Sequence, residues 1–163
     1  AWNALGHRLV AGHLDFSAPS TPATRPNLTR MLFLDPHTRE LYTHWGEEAK
    51  RAVSSLRLVA GQSADDPELA SLVGELTMKS EEFAALWARH PVENCMSGLK
   101  HLYHPDVGDL VLNFEVLTPP DESGHRILMY ATDPGSSAEG ALQLLASSQV
   151  GAVPGDTRSL QPR

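Results

Sequence analysis

From Asp109 to Leu117 the side chains alternate. Leu110, Leu112, Phe114 and Val116 fall on one parity, Asp109, Asn113 and Glu115 on the other, and only Val111 and Leu117 break the pattern. A period of two is the signature of a half-buried β-strand. His104-Pro105-Asp106-Val107-Gly108 precedes this run as a compact turn signal, and Pro119-Pro120-Asp121-Glu122-Ser123-Gly124 follows it as a longer one. Before the first turn, Leu102 and the aliphatic stem of Lys100 oppose His101 and Tyr103. After the second, Ile127, Met129 and Ala131 alternate with Leu128 and Tyr130. Residues 91–133 therefore predict a three-stranded antiparallel meander. Both faces of its last strand are apolar, which predicts a central position or one beneath packed helices.

The remainder reads as helix. Residues 4–14 carry Leu5, Leu9 and Val10 near helical spacing, and residues 17–26, with Pro19, Pro22 and Pro26 among Ser and Thr, read as a loop. Asn27 is placed to cap a short helix over 27–34 with Leu28, Met31 and Leu32 as its stripe. Asp35-Pro36 ends it and opens another turn toward Leu41, Tyr42 and Trp45. Trp45, Ala49, Ala52, Val53, Leu56 and Val59 recur every three or four residues, with Glu47, Glu48, Lys50, Arg51 and Arg57 assigned to solvent. Asp66-Pro67-Glu68 starts a helix that buries Leu69, Leu72, Val73 and Leu76. Ser80-Glu81-Glu82 starts the next, with Phe83, Leu86 and Trp87 inside, and residues 137–146 form a closing helix. Residues 147–163 read as a flexible tail. The fold class is α+β, an antiparallel sheet with several covering helices.

A chain of 163 residues fits one domain with a true core. Its formal charge of -7 opposes nonspecific contact with nucleic acid or an anionic membrane. The single cysteine, Cys95, excludes an intramolecular disulfide and agrees with a reducing compartment. No apolar run nears the ~20 residues that span a bilayer. A cytoplasmic protein without membrane contact is expected. Trp2-Asn3-Ala4 reads as the end of an element already under way, as in an excised fragment.

Catalytic chemistry lacks a handle. The eight histidines form none of the zinc spacings, and His37, His44, His101, His104 and His125 read as surface or hydrogen-bonded histidines, so no metal is expected. Neither Gly-x-Ser-x-Gly nor a phosphate-binding glycine loop occurs, Cys95 has no local partner, and no catalytic residue or cofactor is expected. Arg30 is different in kind. Followed by Met31, Leu32, Phe33 and Leu34, its permanent charge needs an anionic partner. Unless it is simply exposed on the polar face of its helix, that partner is either a nearby Asp or Glu or the head group of a ligand whose chain lies in a cavity lined by Leu, Met, Phe and Trp.

In order along the chain stand Trp2-Asn3-Ala4, Asn27-Leu28-x-Arg30-x-Leu32-Phe33-Leu34-Asp35-Pro36, Leu41-Tyr42-x-x-Trp45 and Asp66-Pro67-x-Leu69-x-x-Leu72-Val73-Gly74-Glu75-Leu76. Ser80-x-Glu82-Phe83-x-x-Leu86-Trp87-Ala88-x-His90-x-Val92, His104-Pro105-x-Val107-Gly108-x-Leu110 and Tyr130-x-x-Asp133-Pro134-Gly135-Ser136 follow. This succession, over residues 1–146, resembles the C-terminal ligand-binding domain of MmyB-like transcription regulators, bacterial proteins of the Xre helix-turn-helix type. The resemblance implies a PAS-like fold with a hydrophobic cavity, a fatty acid or related amphiphile as ligand, and a DNA-binding domain preceding Ala1, with Trp2 in the tail of the sheet's first strand. It makes Asn27 and Arg30 the polar ligand contacts, beside walls drawn from Phe33, Leu34, Phe83, Trp87, Leu112, Phe114 and Met129. This chain departs from the family pattern at His101, Tyr103 and His90-Pro91.

The expectation is a sensory domain that performs no chemistry, with a homodimer formed through the sheet face or the N-terminal segment. The rival is a solid-cored interaction or dimerisation domain without a small-molecule ligand, distinguished by a packed interior and a large exposed apolar patch.

Overall fold

The computed structural model describes residues 1–63, 65–89, 96–120 and 124–147. Cys95, the His90-Pro91 step, positions 121–123 of the second turn and all but Ser147 of the expected tail lie outside these residues. Helices α1 (Ala4–Ala11), α2 (Leu28–Leu34), α3 (Pro36–Leu41), α4 (Trp45–Gln62), α5 (Pro67–Lys79) and α6 (Glu81–Ala88) precede strands β1 (Ser97–His104), β2 (Gly108–Leu117) and β3 (Ile127–Ala131). Helix α7 (Ser137–Ser147) closes the order, and the proline-rich segment after α1 holds two short 3₁₀ turns.

Side-chain caps set the helix starts. Asn27 accepts from the Arg30 amide, Asp66 from the Glu68 and Leu69 amides, and Ser80 from the Phe83 amide. Each cap satisfies amides that have no partner within the helix, an effect of about 1 kcal/mol. Asn3 does the same for α1, accepting from Gly6. Trp2 and Asn3 therefore lead into a helix, which corrects the expectation of a strand tail there.

The sheet runs β1-β2-β3, antiparallel throughout, with Lys100 opposite Leu112, Leu102 opposite Leu110, and Phe114 opposite both Gly98 and Tyr130. A Cβ at Gly98 would lie 3.1 Å from the Phe114 ring, at a φ of 154° that side-chain-bearing residues rarely adopt. β3 is an edge strand, not a central one, and Ile127, Leu128 and Met129 are 40–50% exposed. Its two-faced apolar composition reflects a sheet whose outer face also shows Leu99, Val111 and Leu117 to solvent.

Two apolar clusters fill the interior. The helical one gathers Leu32, Phe33, Val53, Leu56, Leu72, Leu76 and Phe83 from α2, α4, α5 and α6. The second puts the inner sheet face, Leu102, Leu110 and Leu112, against Leu9, Leu41, Ala138 and Leu145. Tyr42 touches both. Below it, the Lys100 ammonium on β1 is ion-paired with the Glu48 carboxylate on α4, both residues 8% exposed. Glu48, assigned to solvent by its helical position, is therefore interior. Its other oxygen accepts from Arg51 at 2.6 Å.

Two outcomes follow for stability, read by chemical denaturation. Phe83→Ala, at a fully buried site, is expected to destabilise by about 3–5 kcal/mol, whereas Met129→Ala on the exposed edge stays below about 1 kcal/mol. Lys100→Met, which strands a buried carboxylate, is expected to lose about 3–5 kcal/mol, and adding Glu48→Leu restores most of that loss.

Candidate functional site

Phe83 lies at the centre of the helical cluster. The Phe33 ring meets it edge-on at 5.1 Å between centroids, and Trp87 stacks on it at 5.7 Å. Leu34 packs against the same cluster. Four of the expected ligand-contacting side chains, Phe33, Leu34, Phe83 and Trp87, are thus brought together. Trp87 also reaches the surface, where an open groove of about 370 Å³ runs along the C-terminal half of α4, α5 and α6. Ala60, Leu69, Ala70, Val73, Gly74 and Trp87 form its apolar walls, with Ser63 and Asp66 at its polar margin. This groove and a second one along the start of α4 are open to solvent, unlike the enclosed cavity expected beneath the sheet.

Arg57 stands beside this groove. One helical turn before Ala60 on α4, it lays its guanidinium over the Trp87 ring at 4.0 Å and donates one hydrogen bond to the Trp87 carbonyl. Its Nε is buried with no hydrogen-bond partner. An N–H in that state retains a desolvation penalty of roughly 1–3 kcal/mol, which an incoming acceptor relieves. The sequence reading put Arg57 on the solvent face. The contact with α6 is what covers it, and helical periodicity within α4 alone cannot register that.

Arg30 takes the first of its two alternatives. Its guanidinium holds the Glu75 carboxylate of α5 through Nε at 2.8 Å and a terminal nitrogen at 2.7 Å, with the side chain 44% exposed. Lys79 binds the same carboxylate at 2.9 Å. The hydrogen bonds from Lys79 and Arg30 hold the Glu75 carboxyl below its usual value. Asn27 spends its side-chain oxygen on the Arg30 amide, 2.9 Å away. Together they fix the start of α2 and tie it to α5.

The three sheet residues separate. Leu112 is fully buried in the second cluster, and Phe114 is buried on the same inner face, with the Lys100 ammonium 4.6 Å from its ring centroid. Met129 pairs with Glu115 on the outer face, so it cannot share a wall with Leu112 and Phe114. Around Lys100 and Glu48 the Tyr42 and Tyr130 hydroxyls are hydrogen-bonded to one another. Burial first, then the charge of Glu48, pushes the Tyr42 hydroxyl up to about 12; burial first, then the neighbouring Tyr42 and Glu48, push Tyr130 the same way. Both therefore stay protonated as hydrogen-bonding groups. Sequence parity held a sign of this cluster, because a lysine among Leu102, Leu110, Leu112 and Phe114 on an inner face requires a buried carboxylate.

Among the histidines, His104 is a hydrogen-bonded interior residue, its Nε2 3.0 Å from the Arg8 carbonyl and its Nδ1 accepting from the Asp106 amide. His44 and His101 lie ring to ring at 4.7 Å. No helix among the described residues is long and apolar enough to cross a membrane.

The family model described as the MmyB-like transcription regulator ligand binding domain matches residues 1–145 of this chain. No curated protein matches it. The chain belongs to the MmyB-like family of ligand-binding domains, a family of bacterial transcription regulators whose role is binding and not catalysis, and its three-stranded antiparallel sheet flanked by helices is consistent with a PAS-like architecture.

Proposed function

We propose that this domain is the sensory part of a cytoplasmic transcription regulator, that it binds a fatty acid or a similar amphiphile, and that it passes its occupancy to an attached helix-turn-helix domain. DNA contact belongs to that attached domain, in keeping with the acidic balance of this one. The observation that carries the reading is the apolar groove along α5 and α6 with the unpartnered Arg57 Nε behind its Trp87 wall. A volume near 370 Å³ lies at the lower end of the range of small-molecule sites. Each methylene buried against Leu69, Val73 and Trp87 contributes about 0.8 kcal/mol. A carboxylate reaching Arg57 converts an idle donor into a charge-assisted hydrogen bond.

In this proposal Phe33, Leu34 and Phe83 form the wall behind Trp87. Asn27 and Arg30 organise α2 and its tether to α5, since an anion on Arg30 must first displace Glu75. Leu112 and Phe114 belong to the sheet layer, which a chain entering from the groove reaches only if α4 repacks. Coupling to DNA requires that the ligand bind one conformation of the domain better than another.

The outer sheet face favours a second reading, homodimerisation, because Leu99, Val111, Leu117, Ile127 and Met129 expose an apolar patch on it. Light scattering then shows a mass of two chains, reduced to one by Val111→Glu; a single-chain mass for the parent removes this reading.

The ligand proposal is tested by calorimetry and native mass spectrometry with a saturated long-chain fatty acid. One equivalent is expected to bind, weakened at least about tenfold by Arg57→Gln and far less by Arg30→Ala. No binding overturns the proposal. Arg57→Gln binding like the parent, or a larger loss in Arg30→Ala, overturns the assignment of the head group.

A further inference from the structure

His13, in the turn after α1, and His37, in the first turn of α3, flank the Asp35 carboxylate that caps α3. His13 Nε2 lies 2.8 Å from Asp35 Oδ2 and His37 Nδ1 lies 3.3 Å from Oδ1. One ligand atom from each of the three residues falls within 4.8 Å of the others. We propose that His13, Asp35 and His37 form a binding site for a divalent transition-metal ion of the zinc type, a function separate from amphiphile binding.

Three observations support it. Two imidazoles and one carboxylate are the donor set of three-ligand zinc sites, and nitrogen donors favour zinc-like ions over magnesium or calcium. Tetrahedral zinc, with bonds near 2.0–2.1 Å, separates its donors by roughly 3.3 Å, so the spacings here need only sub-ångström or ångström-scale adjustment. The carboxylate is held from behind, since Thr38 Oγ1 donates to Oδ2 at 2.7 Å and the His37 amide to Oδ1 at 3.1 Å. Such outer hydrogen bonds orient a ligand before the ion arrives.

Both rings have room to move. Their side chains are 24% and 69% exposed, and they stack at 4.6 Å between centroids with an interplanar angle of 11°. Because a bound ion lies near the plane of each imidazole, the rings must rotate out of this stack as they ligate. The remaining coordination position opens to water. An ion held here joins the turn after α1 to the junction of α2 and α3. The last turn of α1 is already fastened to α7, where Arg8 donates to the Leu145 and Ala146 carbonyls.

The test uses the full chain and zinc alone, by calorimetry, with cobalt absorption as a report on coordination. One saturable equivalent of zinc is expected, together with the visible bands of a low-coordinate cobalt complex. His13→Gln and His37→Gln each weaken binding at least about tenfold, while His101→Gln, which alters the other histidine pair, leaves it unchanged. Circular dichroism establishes that each variant is folded, and a variant that is not gives way to His37→Ala at the more exposed ring. Absence of saturable binding overturns the proposal, as does affinity that persists in the His13 and His37 variants or falls equally in the His101 variant.

Discussion

The ion pair between Lys100 and Glu48 joins the two halves of this domain. The helical cluster and the sheet cluster also meet at the backbone bridge between Tyr42 and Leu102 and at the Tyr42 ring. A lysine on the inner face of β1 and a glutamate on the inner face of α4 are each costly alone in an apolar seam. Together, with Arg51 on the second carboxylate oxygen and two protonated tyrosines alongside, they fix how α4 lies across the sheet. Such a pair adds little net stability compared with apolar packing, and its value lies in specifying one arrangement.

That arrangement gives α4 two roles along its length. Its N-terminal half is anchored to β1, while its C-terminal half, through Arg57 and Ala60, borders the groove on α5 and α6. Under the proposed function, occupancy of the groove would reach the sheet through this one helix. A ligand that alters how α6 sits against α4 acts on the same rigid element that Glu48 holds to Lys100. The Arg30–Glu75 tether and the Asn27 cap keep α2 aligned with α5 on the other side.

Much of this was legible in the sequence where the signal is local. Asn27, Asp66 and Ser80 announced their helices because a short acceptor before an apolar run is both the cap and its mark. The alternation around Leu112 located β2. The features that escaped depend on what a neighbouring element does. Apolar residues on both faces of β3 suit a central strand and an exposed edge equally well, and only the pairing order separates them. Arg57 and Glu48 occupy polar positions of the α4 helical pattern, yet α6 covers one and β1 the other. Phe33, Leu34, Phe83 and Trp87 lie together in the helical cluster, whereas Met129 stands apart on the outer sheet face beside its partner Glu115. His13 was passed over because it lies in a turn, brought to Asp35 only by the packing of α1 against α3.

The central claim is that α4 connects an occupied groove to the sheet. Hydrogen exchange of the backbone amides, with and without a saturating long-chain fatty acid, tests it most directly. Increased protection is predicted in α5, α6 and the C-terminal half of α4, with a smaller change in β1 opposite Glu48. Protection confined to the outer sheet strands, or no change anywhere while the fatty acid is bound, would contradict it.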